Sequence, residues 1–499
     1  MPRAGFKQAP GIDIELEQPE GIFLPGDTIN ARVIVDSVTG LSGGQNNVYI
    51  NFYGRSKVLI IRNTGEGKDY YRGRAILFQK QFYLDGPPVS EAGGREAWGF
   101  SVQIPTHTVL GQYKYNDTWK VASKYLNNTE MDITQHPLPG VFYYCGESGG
   151  TKGECYVEYV MEVSLRPTRE IYDPNDKQKK KKEPDVPTTI VPLVIRTRSS
   201  ERPIKYSEYL QDVSEEVRIK TLKLLPQFAT EQLGFRHNLK SVFKPSKIPN
   251  YFFDLKVTCP STIQLDNPTY FPFRLSIIPK ADSTGKGSSS GSIFSNGDTS
   301  KLPDVKISTF SLCLKMWSMM RARSILKWDS STEKHHDFAI SPDLPPHMVG
   351  YVIPREGGAG MYGYRHPDES NDLMGGEQYL DLGQLLNLQL SRTHSTRLEG
   401  EKNEFKTKRP LWPSFKTYNI HCYYEWKYKI TITCAGETQV VEGKQRVELI
   451  SQSEEQEQNI ALDKQGTKKK WGEMMEGAEG AVAILGLVGE LVAEAVSDS

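Results

Sequence analysis

The chain has 499 residues, 37% hydrophobic and 24% charged, with Lys plus Arg and Asp plus Glu equal at 61 each. That length allows several domains with real cores, and the charge balance excludes a global field steering the molecule to nucleic acid or an anionic membrane. The 25 Tyr, 43 Gly and 30 Pro favour strands joined by turns over helices.

The first 25 residues hold no continuous apolar stretch of a secretory signal, and no apolar run reaches the roughly 18 residues of a spanning helix, which points to the cytosol. Asn116-Asp117-Thr118 and Asn127-Asn128-Thr129 are then chance matches to the glycosylation sequon. The six cysteines (Cys145, Cys155, Cys259, Cys313, Cys422, Cys434) contain no C-x-x-C pair, so no zinc site is expected. Cys145 and Cys155 could face each other across a hairpin, but small buried thiols fit a reducing compartment better.

Along the chain, period-two alternation recurs. Between Thr28 and Asp36, Ile29, Ala31, Val33 and Val35 share one face. Val48, Ile50 and Phe52 alternate with Tyr49, Asn51 and Tyr53, and from Cys155 to Leu165 one face reads Cys, Val, Tyr, Met, Val, Leu. Such runs are strands with one buried and one wetter face, as in antiparallel sandwiches. Asp176 to Asp185, with Lys177 and Lys179 to Lys182, reads as a disordered loop. Ser214 to Leu225 offers a Ser cap, early acids and apolar Val217, Ile219, Leu222, Leu224 and Leu225, which predicts a helix connecting two sandwiches.

The alternation returns with Leu255, Val257 and Cys259, then Phe271, Phe273, Leu275 and Ile277 after a turn at Asp266-Asn267-Pro268. Asp282 to Ser300 and Gly357 to Gly376 read as further disordered loops within domains. The longest alternating run is Tyr418 to Cys434, whose polar side carries Asn419, His421, Tyr423, Glu425, Lys427, Lys429, Thr431 and Thr433. At strand rise it spans roughly 55 Å, so a bend or bulge is expected in it. From Ser451 the composition shifts to Gln and Glu, then Lys468 to Lys470 and Trp471. Gly472 to Val496 can form an amphipathic helix whose apolar side holds Ile484, Leu485, Leu487, Val488, Leu491 and Val492. With Trp471 these are the candidate partner-binding residues of the tail.

Chemical motifs are few. Gly287 to Gly291 matches G-x-S-x-G, but no strand feeds it and no helix leaves it, so it reads as linker. His335-His336-Asp337 reads as a polar loop without a third metal ligand. Asn267-Pro268-Thr269-Tyr270 matches an N-P-x-Y sorting signal, yet its place at a strand entry makes it a structural turn. Lys177, Lys179, Lys180, Lys181 and Lys182 are a candidate contact for anionic lipid or a phosphorylated segment, partly neutralised by Asp173, Asp176, Glu183 and Asp185. No catalytic constellation, metal or cofactor is expected.

The ordered segments Ile14-Glu15-Leu16, Phe23-Leu24-Pro25-Gly26-Asp27-Thr28-Ile29, Phe100 to Pro105, His136-Pro137-Leu138-Pro139-Gly140, Tyr156 to Tyr159, and Pro413 to Ile420 leading to Cys434-Ala435-Gly436 resemble the arrestin family, specifically the fungal α-arrestin-like proteins. The resemblance covers roughly residues 12 to 450. It implies two antiparallel immunoglobulin-like β-sandwiches, at 1–205 and 248–450, joined by a connector at 206–247 and followed by a tail at 451–499. Physically, Pro25 and Gly26 suit a tight turn, placed between two paired strands.

The implied role is a non-catalytic cytoplasmic adaptor that binds cytoplasmic tails of membrane proteins and links them to endocytic sorting or ubiquitination, peripherally at plasma membrane or endosomes. Nucleic acid is not an expected partner. The family's ligase-recruiting P-P-x-Y and L-P-x-Y peptides are missing: Pro87-Pro88 is followed by Val89-Ser90, and Pro345-Pro346 by His347-Met348. Ubiquitin ligase would therefore bind by another route. A structural subunit of a sorting coat, like the retromer subunit sharing this fold, and a sandwich hydrolase or carbohydrate-binding protein are the alternatives.

Overall fold

The computed structural model describes residues 6–18, 22–36, 46–65, 67–84, 86–109, 136–167, 187–224, 228, 248–280, 302–324, 330–341, 343–356, 378–391, 406–407 and 410–458. The three segments read as disordered, the G-x-S-x-G stretch, the lysine run and the chain from 459 onward all lie outside these residues.

In the N-terminal half the strands are β1 (Ile12–Leu16), β2 (Ile22–Phe23), β3 (Thr28–Asp36), β4 (Asn46–Asn63), β5 (Lys68–Tyr83), β6 (Val89–Glu91), β7 (Arg95–Gln103), β8 (Phe142–Ser148), β9 (Thr151–Pro167) and β10 (Thr188–Ile195). The C-terminal half holds β11 (Leu210–Lys220), β12 (Asn250–Pro260), β13 (Thr262–Gln264), β14 (Arg274–Pro279), β15 (Val305–Ser324), β16 (Ser330–Ile340), β17 (Leu380–Asp381), β18 (Lys406–Thr407), β19 (Phe415–Lys416), β20 (Ile420–Cys434) and β21 (Glu437–Ile450). The chain is all-β, and nearly every pairing is antiparallel; β2 on β10 and β13 on β21 are parallel.

Two four-stranded sheets, β1-β3-β7-β6 and β11-β12-β14-β17, each cover one end of a third. This third sheet has 13 strands and runs β13-β21-β20-β15-β5-β4-β9-β10-β2 through both halves. Alternation explains the packing. Ile29, Val33 and Val35 of β3 are buried with Ile50 and Phe52 of β4 and Met161 and Val163 of β9. At the other end Phe271 meets Trp426 at 5.3 Å between ring centres, and Phe273 meets Phe310 at 5.1 Å. Every second residue from Tyr418 to Cys434 is buried, as the sequence pattern requires.

Four local expectations change. The segment Ser214 to Leu225 is no helix: Ser214 to Lys220 completes β11, fully registered on β12 from Leu210↔Pro260 to Lys220↔Asn250, and a 3-10 turn follows at Leu222–Leu224. Val213, Val217 and Ile219 also satisfy period two, and β-branched side chains facing β12 decide for the strand. His335 and His336 lie in β16 rather than a polar loop, and His335 is buried. The long run Tyr418 to Cys434 itself is unbroken from Ile420; the irregularity sits in its partner β15, between Ile307 and Thr309. Pro25-Gly26 does turn the chain, with Gly26 at φ 97°, but β2 pairs with β10 and not with β3. The turn moves the chain from one sheet of the sandwich to the other.

Cys145 and Cys155 also fall out of step. Tyr144 opposes Cys155, so the two thiols occupy opposite faces of the hairpin, and all six cysteines are free. Asn267 acts as a turn residue: its Oδ1 accepts from the Thr269 N–H at 2.9 Å, and its Nδ2 donates to the Ile204 carbonyl.

Strands β4, β5 and β9 overrun the N-terminal sandwich and pack their far ends on β15, β16 and β20. Ser56 donates to Asn419 Oδ1 at 2.5 Å within this buried seam. A Cβ on Gly73 would meet the Arg321 carbonyl at 2.8 Å. Phe142 packs edge-on against Phe415, at 4.8 Å between ring centres. A second tie runs beside it. Arg198 bridges Glu454 and Glu457 at 3.1 Å each, while Ser453 and Gln456 cap each other's backbone N–H groups and open a helical turn over 454–458.

Candidate functional site: a cationic aromatic face on the shared sheet

The polar sides of β15, β16, β19, β20 and β21 form one face, turned away from the C-terminal core. Register sets its rows. Trp317 stands between His336 and Tyr423, Lys315 opposes Glu425, and Glu425 opposes Arg446. Lys416 opposes His421, and Lys427 opposes Lys444. Residues so paired sit about 5 Å apart across strands, and same-face neighbours along a strand sit about 7 Å apart.

Trp317 is the centre. The Lys315 and Lys334 ammonium nitrogens each lie 3.7 Å from its ring centre, and Tyr423 stacks beside it at 6.3 Å and 20°. Lys334 also lies 5.2 Å from the Tyr423 ring, and the Arg446 guanidinium 5.1 Å. Each such cation–ring contact contributes about 0.5–2 kcal/mol, more as water is excluded. The indole N–H donates to Glu425 Oε2, which orients the ring and uses part of that carboxylate. Lys315 is only 7% exposed, its stem covered by the sheet face.

Positive charge prevails here. Around Trp317, Lys315, Lys334, Lys416, Lys427, Lys444 and Arg446 stand against Glu425 and, at the margin, Glu448, while farther along the face Lys429 is paired with Glu442 at 2.9 Å. The crowding disfavours charge on the lysines. Burial, followed by the charge of Lys427, lowers the Lys315 pKa against the pull of Glu425. Burial and then Arg446 lower that of Lys416.

His421 is pushed from its ordinary 6.5 to about 3, first by burial and then by Lys416, Arg446, His136 and Lys334. Its Nε2 lies 3.5 Å from Arg446 Nη2, so the neutral ring accepts there and carries its proton on Nδ1. The folded chain therefore binds this proton less readily than the unfolded chain. The stability present above pH 6.5 is lost as the pH falls towards the folded value. At pH 5 the loss attributable to His421 is about 2 kcal/mol, so His421→Gln should flatten the pH dependence of the unfolding free energy, measured by urea denaturation, by that amount between pH 8 and 5. Equal acid slopes for the two proteins would exclude a buried neutral His421.

The sheet continues into the N-terminal half, where the backbone of β15 pairs with β5 at the level of Arg72. There Arg55 pairs with Glu158, and Lys57 lies 3.3 Å from the same carboxylate. That carboxylate is engaged by two cations, and the larger surplus is around Trp317.

The lysine run at 177–182 and the tail residues Trp471, Ile484, Leu485, Leu487, Val488, Leu491 and Val492 lie outside the described residues. Sequence reasoning placed Tyr423 and Lys427 on a wet strand face without assigning them a role. The missed signal was the mixture of aromatic and basic residues on the polar side of one strand. An open groove of about 360 Å³ elsewhere is lined by Tyr83, Leu84, Pro87, Val89 and Trp98, with no carboxylate, histidine or cysteine among the described lining residues.

Among the described residues no three His, Cys, Asp or Glu side chains form a group that could hold a metal ion, and no helix is long and apolar enough to cross a membrane. A scan of the sequence against protein-family models finds no match, and neither does a search of curated proteins.

Proposed function

We propose that the chain is a non-catalytic, arrestin-like adaptor that holds cytoplasmic tails of membrane proteins and links them to endocytic sorting or ubiquitination. The observation that carries this reading is the continuous sheet through both halves, whose outer side is an open cationic and aromatic face around Trp317. A flat face of this kind suits recognition of an extended chain, where cross-strand rows of charged and aromatic groups meet successive side chains. The ordered motifs that resemble the arrestin family support the same role. With P-P-x-Y absent, the ligase is engaged through a different surface.

Proximity labelling in the native cell tests this, comparing the full chain with one ending at Gln458. Membrane proteins together with sorting or ubiquitination components should be enriched by the full chain. A labelled set without membrane proteins would remove the adaptor role, and constant-stoichiometry co-purification with one complex would replace it by a structural coat subunit.

A further inference from the structure

The geometry points to a specific occupant for the Trp317 face: we propose an acidic, unphosphorylated peptide segment of a partner protein, bound in extended form. The inference rests on the adaptor reading and narrows it to a chemical class.

Three features select that class. The cations are spread on the sheet lattice, about 5 Å apart across strands and about 7 Å along them, which matches carboxylates on alternate residues of an extended peptide. A phosphate group instead needs several donors converging on one point. Second, Glu425 lies amid the cations, held by the Trp317 indole, and Glu448 borders them, two residues beyond Arg446 on the same side of β21. A compact dianion at the centre would meet Glu425 directly, whereas spaced monoanions can sit over Lys334, Lys427 and Arg446 on either side. Third, Lys315 is fixed under its neighbours and against Trp317, so it cannot extend into a lipid headgroup layer. The ring edges of Trp317 and Tyr423, with the exposed Ile340 at the end of β16, offer places for apolar residues between the acids.

The whole chain has no net charge, so attraction is local and acts at short range. Lys334, Lys427 and Arg446 are exposed, and reversing them leaves the core intact.

The test is fluorescence anisotropy on the full-length protein with three probes: a synthetic peptide alternating Glu and Leu, a phosphoserine peptide lacking Asp and Glu, and phosphatidylserine vesicles. The alternating peptide should bind best and weaken as salt rises. Lys334→Glu with Arg446→Glu should weaken it about 100-fold, and Lys334→Gln with Arg446→Gln about 10-fold, while the exposed pair Lys7→Glu and Lys220→Glu leaves it unchanged. Thermal melts of each variant confirm folding.

The proposal is overturned if the wild-type protein does not bind the alternating peptide, if it prefers the phosphopeptide or the vesicles, or if the Trp317-face reversals bind like wild type. These failures leave the adaptor role standing wherever proximity labelling still recovers membrane proteins. Peptide binding without such labelling would remove the adaptor role and keep the site.

Discussion

Replacing Trp426 by alanine should cost about 3–5 kcal/mol of stability, the largest single-residue effect expected in this chain. Trp426 is fully buried at the middle of β20, packed on Phe271 and flanked along its strand face by the buried rings of Tyr424 and Tyr428. Rings held in two facing sheets cannot close over the space an indole leaves, so the cavity term adds to the lost burial. Trp426→Phe keeps an aromatic contact with Phe271 and should cost about 1–2 kcal/mol. Urea denaturation followed by fluorescence and far-ultraviolet circular dichroism checks both values. Because one sheet runs through both halves, the two signals should move together; separate transitions would mean that the C-terminal half melts alone.

The second large effect is expected at the seam. Gly73→Val places a branched side chain where the first carbon alone already meets the Arg321 carbonyl at 2.8 Å and Asn419 Nδ2 at 3.2 Å. One neighbour is backbone and the other is the amide that accepts from Ser56, so neither can yield without disturbing the join. The cost should be about 2–3 kcal/mol, typical of overpacking a closed site. Hydrogen exchange should rise first in the segments around Arg321 and Asn419, ahead of the sandwich cores. Unchanged exchange there, with a normal melting temperature, would show that β5 and β15 are not closely apposed. Gly153 provides the contrast. A Cβ there would meet only side-chain atoms of Met320 and His335 and no backbone, so Gly153→Ala should be milder.

The strands were legible in the sequence wherever one side faces a core. Tyr418 to Cys434 shows this best, since every second residue is buried throughout and only Asn419, at the seam, departs from the wetter side. Ser214 to Leu225 misled because Val217, Ile219, Leu222 and Leu224 fit helical and extended spacing almost equally, and pairing with β12 decided between them. The irregularity near Ile307 was beyond reach for a similar reason, since a bulge belongs to a pair of strands and the partner of Ile307 is Ile432, far along the chain. The Trp317 face was hidden because its members come from five strands. His421, Tyr423 and Lys427 were visible as the wet side of one of them, but their register with Lys315, Lys334 and Arg446 is a property of the sheet.

The sheet shared by both halves also bears on how the protein can be made and taken apart. Expressing residues up to about 205 alone would strip β15 from β5 and leave the seam side of β4, β5 and β9 uncovered, with Ser56, Val58 and Ile60 facing water. Raw strand edges beside apolar surface recruit other chains, so each half by itself should be prone to aggregate, while co-expressed halves should complement one another. The same long-range joins, such as Ser56 to Asn419, close only after most of the chain has been synthesised, which predicts slow folding dominated by contacts distant in sequence.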